Sequence, residues 1–126
     1  MSAHLARGDV PAVSVRPAKA PESWTLRDIL VAVTALPDAL FERLNVGLGQ
    51  AASGRVVRFG NSGGPDIRGT FRGWSVAIEV KSSTGRQSPA QRRWQHCHER
   101  AGGIYILARS WADVWAILEP LPWCRP

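Results

Sequence analysis

Apolar positions along this chain follow two distinct periods. Leu26, Ile29, Leu30 and Val33 recur at the spacing of one helix face, which predicts a helix from about Thr25 to Leu36, with Thr25 and Asp28 as a capping-box-like start. Pro37 and Asp38 restart the chain, and Leu40, Phe41, Leu44 and Leu48 predict the buried side of a second helix, with Glu42 off that stripe. Gly47, Gly49, Ser53 and Gly54 then end the helix and open a loop.

The period changes to two further on. Arg55 to Phe59 and Pro65 to Phe71 read as strands separated by the loop Gly60-Asn61-Ser62-Gly63-Gly64, which suits either a plain turn or close approach of a substrate backbone. Arg72-Gly73 makes a tight turn into Trp74 to Lys81, where Trp74, Val76, Ile78 and Val80 face one side and Ser75, Ala77, Glu79 and Lys81 the other. Ser88-Pro89-Ala90-Gln91 opens a helix with a Ser cap, Pro at its first position and Gln three residues after the cap. That helix is expected to end at Gly102-Gly103. Ile104 to Ala108 is a short apolar strand, and Ser110 with Asp113 caps a last helix to about Leu118. The predicted order, α-α-β-β-β-α-β-α, is an α/β domain with a central mixed sheet flanked by helices. It spans residues 22–119, after a mildly basic, proline-interrupted arm at 1–21 and before an irregular tail at 120–126.

Composition narrows the class. The 126 residues form one domain with 44% hydrophobic and 21% charged positions, enough to build a core without disulfides. A net charge of +6 favours polyanionic partners, nucleic acid first, although the same balance also serves solubility. Fourteen of the sixteen basic residues are Arg, so Lys81, one of two lysines, reads as chosen for a compact, titratable ammonium. Cys97 and Cys124 have no metal-ligand spacing, and no apolar run reaches eighteen residues, as a membrane span would. A soluble protein of a reducing cytoplasm is the expectation.

The chemistry concentrates between Gly63 and Lys81. A hairpin brings Asp66 toward Glu79, thirteen positions later, and Lys81 follows on the same strand face. Two acids, the Val80 carbonyl and an ammonium suit a hard divalent ion and phosphodiester hydrolysis, with Lys81 orienting water or stabilising the pentavalent state. The plainer reading is an exposed turn acid and a cross-strand salt bridge. Arg58, Arg68, Arg72, Arg86, Arg92, Arg93 and Arg109 could together line a phosphate-gripping rim, each alone reading as a solvated charge. Trp94 suits base stacking or, more simply, core. His96, Cys97 and His98 diverge around their helix and do not share an ion.

Gly64-Pro65-Asp66, Glu79-Val80-Lys81, Thr84-Gly85-Arg86-Gln87-Ser88-Pro89-Ala90-Gln91, and the segment from Ala101-Gly102-Gly103 to Ala108-Arg109-Ser110 occur in that order. In them the chain from about Leu40 to Leu118 resembles the VRR-NUC domain of the PD-(D/E)xK nuclease superfamily. The resemblance implies a restriction-endonuclease-like core and Mg²⁺- or Mn²⁺-dependent cleavage of DNA. Its implied metal site is Asp66, Glu79, the Val80 carbonyl and a third acid, Glu42, for which Asp38 and Glu22 compete; Lys81 and Gln91 complete the catalytic set, and Gln91 serves equally as the capping partner of Ser88. Stand-alone members of the family tend to be homodimers acting on branched DNA, including four-way junctions, so the resemblance implies a homodimer and a junction substrate here. Trp111, Trp115 and Trp123 are candidates for an interface or for the core. A flap, nick or single-strand nuclease, and a non-catalytic DNA-binding protein on the same fold, are the alternatives.

Overall fold

The computed structural model describes residues 21–44, 47–50, 52–59 and 63–125. Residues 1–20 of the expected arm at 1–21, and loop residues 60–62, lie outside the described residues. Elements run in the order α1 (Glu22–Thr34), β1 (Ala39–Arg43), β2 (Gly47–Gln50), β3 (Val56–Phe59), β4 (Ile67–Phe71), β5 (Trp74–Val80), α2 (Pro89–Arg100), β6 (Ile104–Ala108) and α3 (Trp111–Leu118). An α/β architecture with a mixed sheet is therefore observed. Strand order is β1-β4-β5-β6, with antiparallel neighbours except for the parallel β5–β6 pair, whose crossover is α2.

The predicted second helix is a correction. Residues 39–43 form the edge strand β1, and Gly47–Gln50 pairs with β3 in a separate two-stranded sheet. Asp38 adopts a φ of 60°, and its carbonyl accepts the Arg72 N–H, so the chain turns abruptly and lies down against β4. Leu40 and Phe41 then face opposite sides of a sheet, 79% and 6% exposed, where a helix would have grouped them. The start of α1 also differs. Pro21 occupies the cap position without a side-chain cap, and Thr25 is buried inside the helix.

One face of the sheet meets α1 and α3. Ile67, Ile78 and Ile106 form a row across β4, β5 and β6, all essentially solvent-free, each contributing roughly 1.5–3 kcal/mol by burial. Ile29, Val33 and Leu36 of α1 and Trp111, Val114, Trp115 and Leu118 of α3 close over it. Trp111 and Trp115 are thus core residues and not available to an interface, whereas Trp123 is 60% exposed. At the β4–β5 turn, Arg72 and Gly73 both have positive φ, a twist that suits a two-residue hairpin. The Arg72 guanidinium donates to the Leu121 carbonyl and the Trp74 indole to that of Pro122, tying the tail to this end of the sheet.

The other face carries polar side chains. Across it, register places Leu44, Asp66, Glu79 and Leu107 in one row and Glu42, Arg68, Ala77 and Tyr105 in the next. α2 packs over the β6 side of this face and, with β5, leaves Ala77 and Tyr105 buried. No helix of the described residues is long and apolar enough to cross a membrane.

Candidate metal and phosphodiester site

Asp66 stands just before β4, where Leu44 N–H donates to its carbonyl and fixes the end of the sheet. Its Oδ2 accepts the Val80 N–H at 2.8 Å. Because a strand residue's N–H and C=O leave on the same side, the Val80 carbonyl also projects toward Asp66. Glu79, on β5, is only 3% exposed. Its Oε1 takes the Gln91 side-chain N–H at 2.8 Å and lies 3.4 Å from the Lys81 ammonium. Oε2, also buried, has no hydrogen-bond partner among the described residues.

Such a carboxylate is costly as an anion. Burial, then the Asp66 charge, push Glu79 up to about 7, with Lys81 pulling in the other direction. Burial also raises Asp66, partly offset by the Val80 N–H. An oxygen-only donor set that resists ionisation in the bare protein and keeps one buried carboxylate oxygen, Glu79 Oε2, unpartnered is what a bound hard cation would relieve, so the residues fit Mg²⁺ or Mn²⁺.

Gln91 performs two jobs at once. Its Oε1 accepts the Ser88 N–H at 2.8 Å, and its backbone N–H donates to the Ser88 hydroxyl, completing the capping box of α2. The amide's other end is thereby aimed at Glu79. The two roles that the sequence sets against each other belong to opposite ends of one side chain. Gly63, at φ +79°, passes so close to the backbone of Ala90 and Gln91 that a Cβ would collide with it, which seats the loop before Asp66 on the same helix start.

The loop after Lys81 is braced from β6. The Arg109 guanidinium donates to the carbonyls of Ser82 and Gly85 at 2.6 and 2.9 Å, so it holds the site loop and does not stand free for a phosphate. Beneath α2, Gln87 donates to Gln95 and to the Tyr105 hydroxyl. Sequence spacing alone shows neither brace, since both join residues distant along the chain.

Glu42 does not reach the metal-site row. It lies on β1 opposite Arg68, one row from Asp66, and is exposed. Glu22, in the first turn of α1, is the third acid whose charge raises both Asp66 and Glu79, whereas Asp38 lies by the β4–β5 turn at the far end. Among the described residues no three His, Cys, Asp or Glu side chains stand within reach of one ion. Of the arginines, Arg68 lies on the site face, its guanidinium 5.9 Å from the Trp94 ring centroid. Arg86, Arg92 and Arg93 are exposed around the start of α2, and Arg92 also donates to the Gln87 carbonyl. Arg72 is at the opposite end of the sheet with the tail. Arg58 lies on β3, and its side chain is outside the described residues. Trp94 is half-buried, stacked on His98 at 4.9 Å and tilted against Tyr105.

No protein family matches the chain, and no curated protein or solved structure matches it.

Proposed function

We propose that the protein is a divalent-metal-dependent phosphodiesterase with a restriction-endonuclease-like core. Leaving aside β2 and β3, the order α1-β1-β4-β5-α2-β6, with its one parallel pair across α2, supports that core. The observation that carries the reading is Glu79: a buried carboxylate with one oxygen unpartnered, set beside Asp66, Lys81 and Gln91. Within that class we assign it as a DNA endonuclease acting on branched DNA, in keeping with its +6 charge and the arginines around α2.

Asp66, Glu79 and the Val80 carbonyl would hold the ion. When bound, it supplies a lowered pKa for water and neutralises charge on the phosphate oxygens. Gln91 keeps Glu79 in one rotamer, so the carboxylate meets its ligand without reorganising. Lys81, 13% exposed, faces the same carboxylate and presents an ammonium to the attacking water or the phosphate. A two-fold pair of such domains would give the two cuts that resolving a junction requires.

The test is cleavage of end-labelled four-way junction, flap and linear duplex DNA with Mg²⁺, Mn²⁺ or EDTA, alongside Asp66→Ala and Lys81→Ala. Metal-dependent paired nicks at the junction, lost in both variants, are expected. Binding without cutting under every metal condition would overturn the enzyme reading.

A further inference from the structure

The two-carboxylate site uses one row of the sheet face, and beyond it lies a cavity with no part in the reading above. Next to Asp66 and Glu79 comes the row of Glu42, Arg68 and Ala77, then Leu40, Thr70 and Ser75. Over this β1–β4 half, among the described residues, no helix packs as α2 does at β6. A trough of about 400 Å³ opens there, lined chiefly by Leu40, Glu42, Leu44, Arg68, Thr70 and Ser75. Its apolar wall is bare, with Leu40 79% exposed. Its side toward α2 is Arg68, poised over Trp94.

We propose that this trough seats one unstacked nucleoside of the strand being cut, with Arg68 on the phosphate next to the scissile one and Glu42 on the base edge. The inference rests on the nuclease reading and narrows its substrate. Asp66 and Arg68 are two residues apart on one strand face, roughly 6.5 Å, comparable to one step of a sugar-phosphate backbone. A phosphate held at Asp66 and Glu79 would therefore bring its neighbour over the Arg68 backbone, within the span of the Arg68 side chain. The lining matches a nucleoside: leucines for the base face, the Thr70 and Ser75 hydroxyls for sugar and base edges, and a volume within the range of roughly 300–1,000 Å³ usual for small-ligand sites.

Glu42 supplies the chemical discrimination. A carboxylate there repels phosphate but accepts hydrogen bonds from the amino groups of cytosine, adenine or guanine, which thymine lacks. A base stacked within intact duplex cannot enter the trough. The substrate class is accordingly DNA with an unpaired nucleotide beside the cut, as at a branch point or flap.

Thr70→Trp and Ser75→Trp fill the trough from two strands, and their folding is checked by thermal unfolding. Wild type and variants are assayed on a flap substrate and on bis(p-nitrophenyl) phosphate, which has no neighbouring nucleotide. In a parallel arm, 2-aminopurine is placed at each position around the cut and its fluorescence read with Ca²⁺ in place of Mg²⁺. Flap cleavage is expected to fall roughly tenfold or more in both folded variants while small-ester hydrolysis persists. Fluorescence should rise at one position in wild type and not in the variants. Replacing cytosine by thymine at that position should slow wild type several-fold and leave Glu42→Ala indifferent. Folded variants that cut the flap normally, or fluorescence unchanged at every position, would overturn the trough assignment and leave the nuclease reading standing. A wild type that hydrolyses neither substrate with any metal, yet shows the positional fluorescence change, would overturn the nuclease reading and leave the trough.

Discussion

Glu79→Gln should stabilise the metal-free protein at alkaline pH, although it removes an ion pair. In the fold, burial and Asp66 move this carboxyl from 4.5 to about 7, a difference worth about 3 kcal/mol between its two protonation states. The sign follows from the direction. A group raised in the folded state contributes stability that is present in full below about pH 4.5 and lost as pH rises through about 7. At about pH 8 the metal-free wild type holds a buried anion whose Oε2 has no donor, whereas the Gln variant holds a neutral amide. Losing the Lys81 contact and leaving an amide hydrogen imperfectly paired offset part of the gain, so the net expectation is roughly 1–3 kcal/mol. Urea unfolding of both proteins at acid and alkaline pH, in EDTA, measures it. The difference between the two is the readout, because it cancels the titration of groups that do not interact with Glu79 and leaves that of Glu79 with its neighbours Asp66 and Lys81. Adding Mg²⁺ at about a hundred times its dissociation constant should return about 2.7 kcal/mol to wild type and nothing to the variant. A variant that is less stable at alkaline pH, with the same pH slope as wild type, would refute the argument that burial of an unpartnered carboxylate dominates this site.

Gln91→Glu preserves a capping residue at its position, so the cap of α2 should change by no more than about 1 kcal/mol, measured at acid pH where Glu79 is protonated. Setting a second carboxylate against Glu79 should nevertheless lower metal-dependent cleavage at least roughly tenfold and shift its pH profile upward. Gly63→Ala drives a Cβ into the Ala90 backbone at positive φ and should cost about 1–3 kcal/mol in chemical unfolding. Gly54→Ala is its control, since a Cβ added there, also at positive φ, would meet no atom within 4 Å among the described residues, and should cost less. Arg109→Ala frees the Ser82 and Gly85 carbonyls, so faster hydrogen exchange at the Gly85 amide should accompany a fall in activity while the unfolding midpoint changes little.

Where the sequence specifies structure through local chemistry, its elements are legible. The Ser88-Pro89-Ala90-Gln91 start of α2 and the residues of β6 follow from capping and apolar run length, and both agree with the structure. The stretch from Pro37 to Leu48 does not yield so easily. Its leucines and phenylalanine satisfy a helical period as well as a pleat, and the decision comes from contacts made later in the chain. Arg72 N–H must find the Asp38 carbonyl, and β4 must present its edge, before strand pairing wins. Misreading that stretch also misplaces Glu42, because an acid one turn along a helix can lean toward a site that the same acid on an edge strand cannot reach.

The candidate site shows the same division more finely. Asp66, Glu79 and Lys81 stand out by spacing, and a hairpin suffices to bring the two acids together. What the sequence hides is that Gln91 is a single object with two ends. Its backbone position is set by the cap, its Oε1 is engaged by the Ser88 N–H, and the remaining amide hydrogens have only one direction left, toward Glu79. Helix initiation and carboxylate positioning are therefore coupled through one side chain. Loosening the first turn of α2 should disturb Glu79 even when every acid and the lysine remain in place. Ser88→Ala, remote from the carboxylates along the chain, would then reduce activity by more than the roughly 1 kcal/mol that a lost cap costs in stability. Equal activity per folded molecule in that variant would show that the cap and the carboxylate are independent.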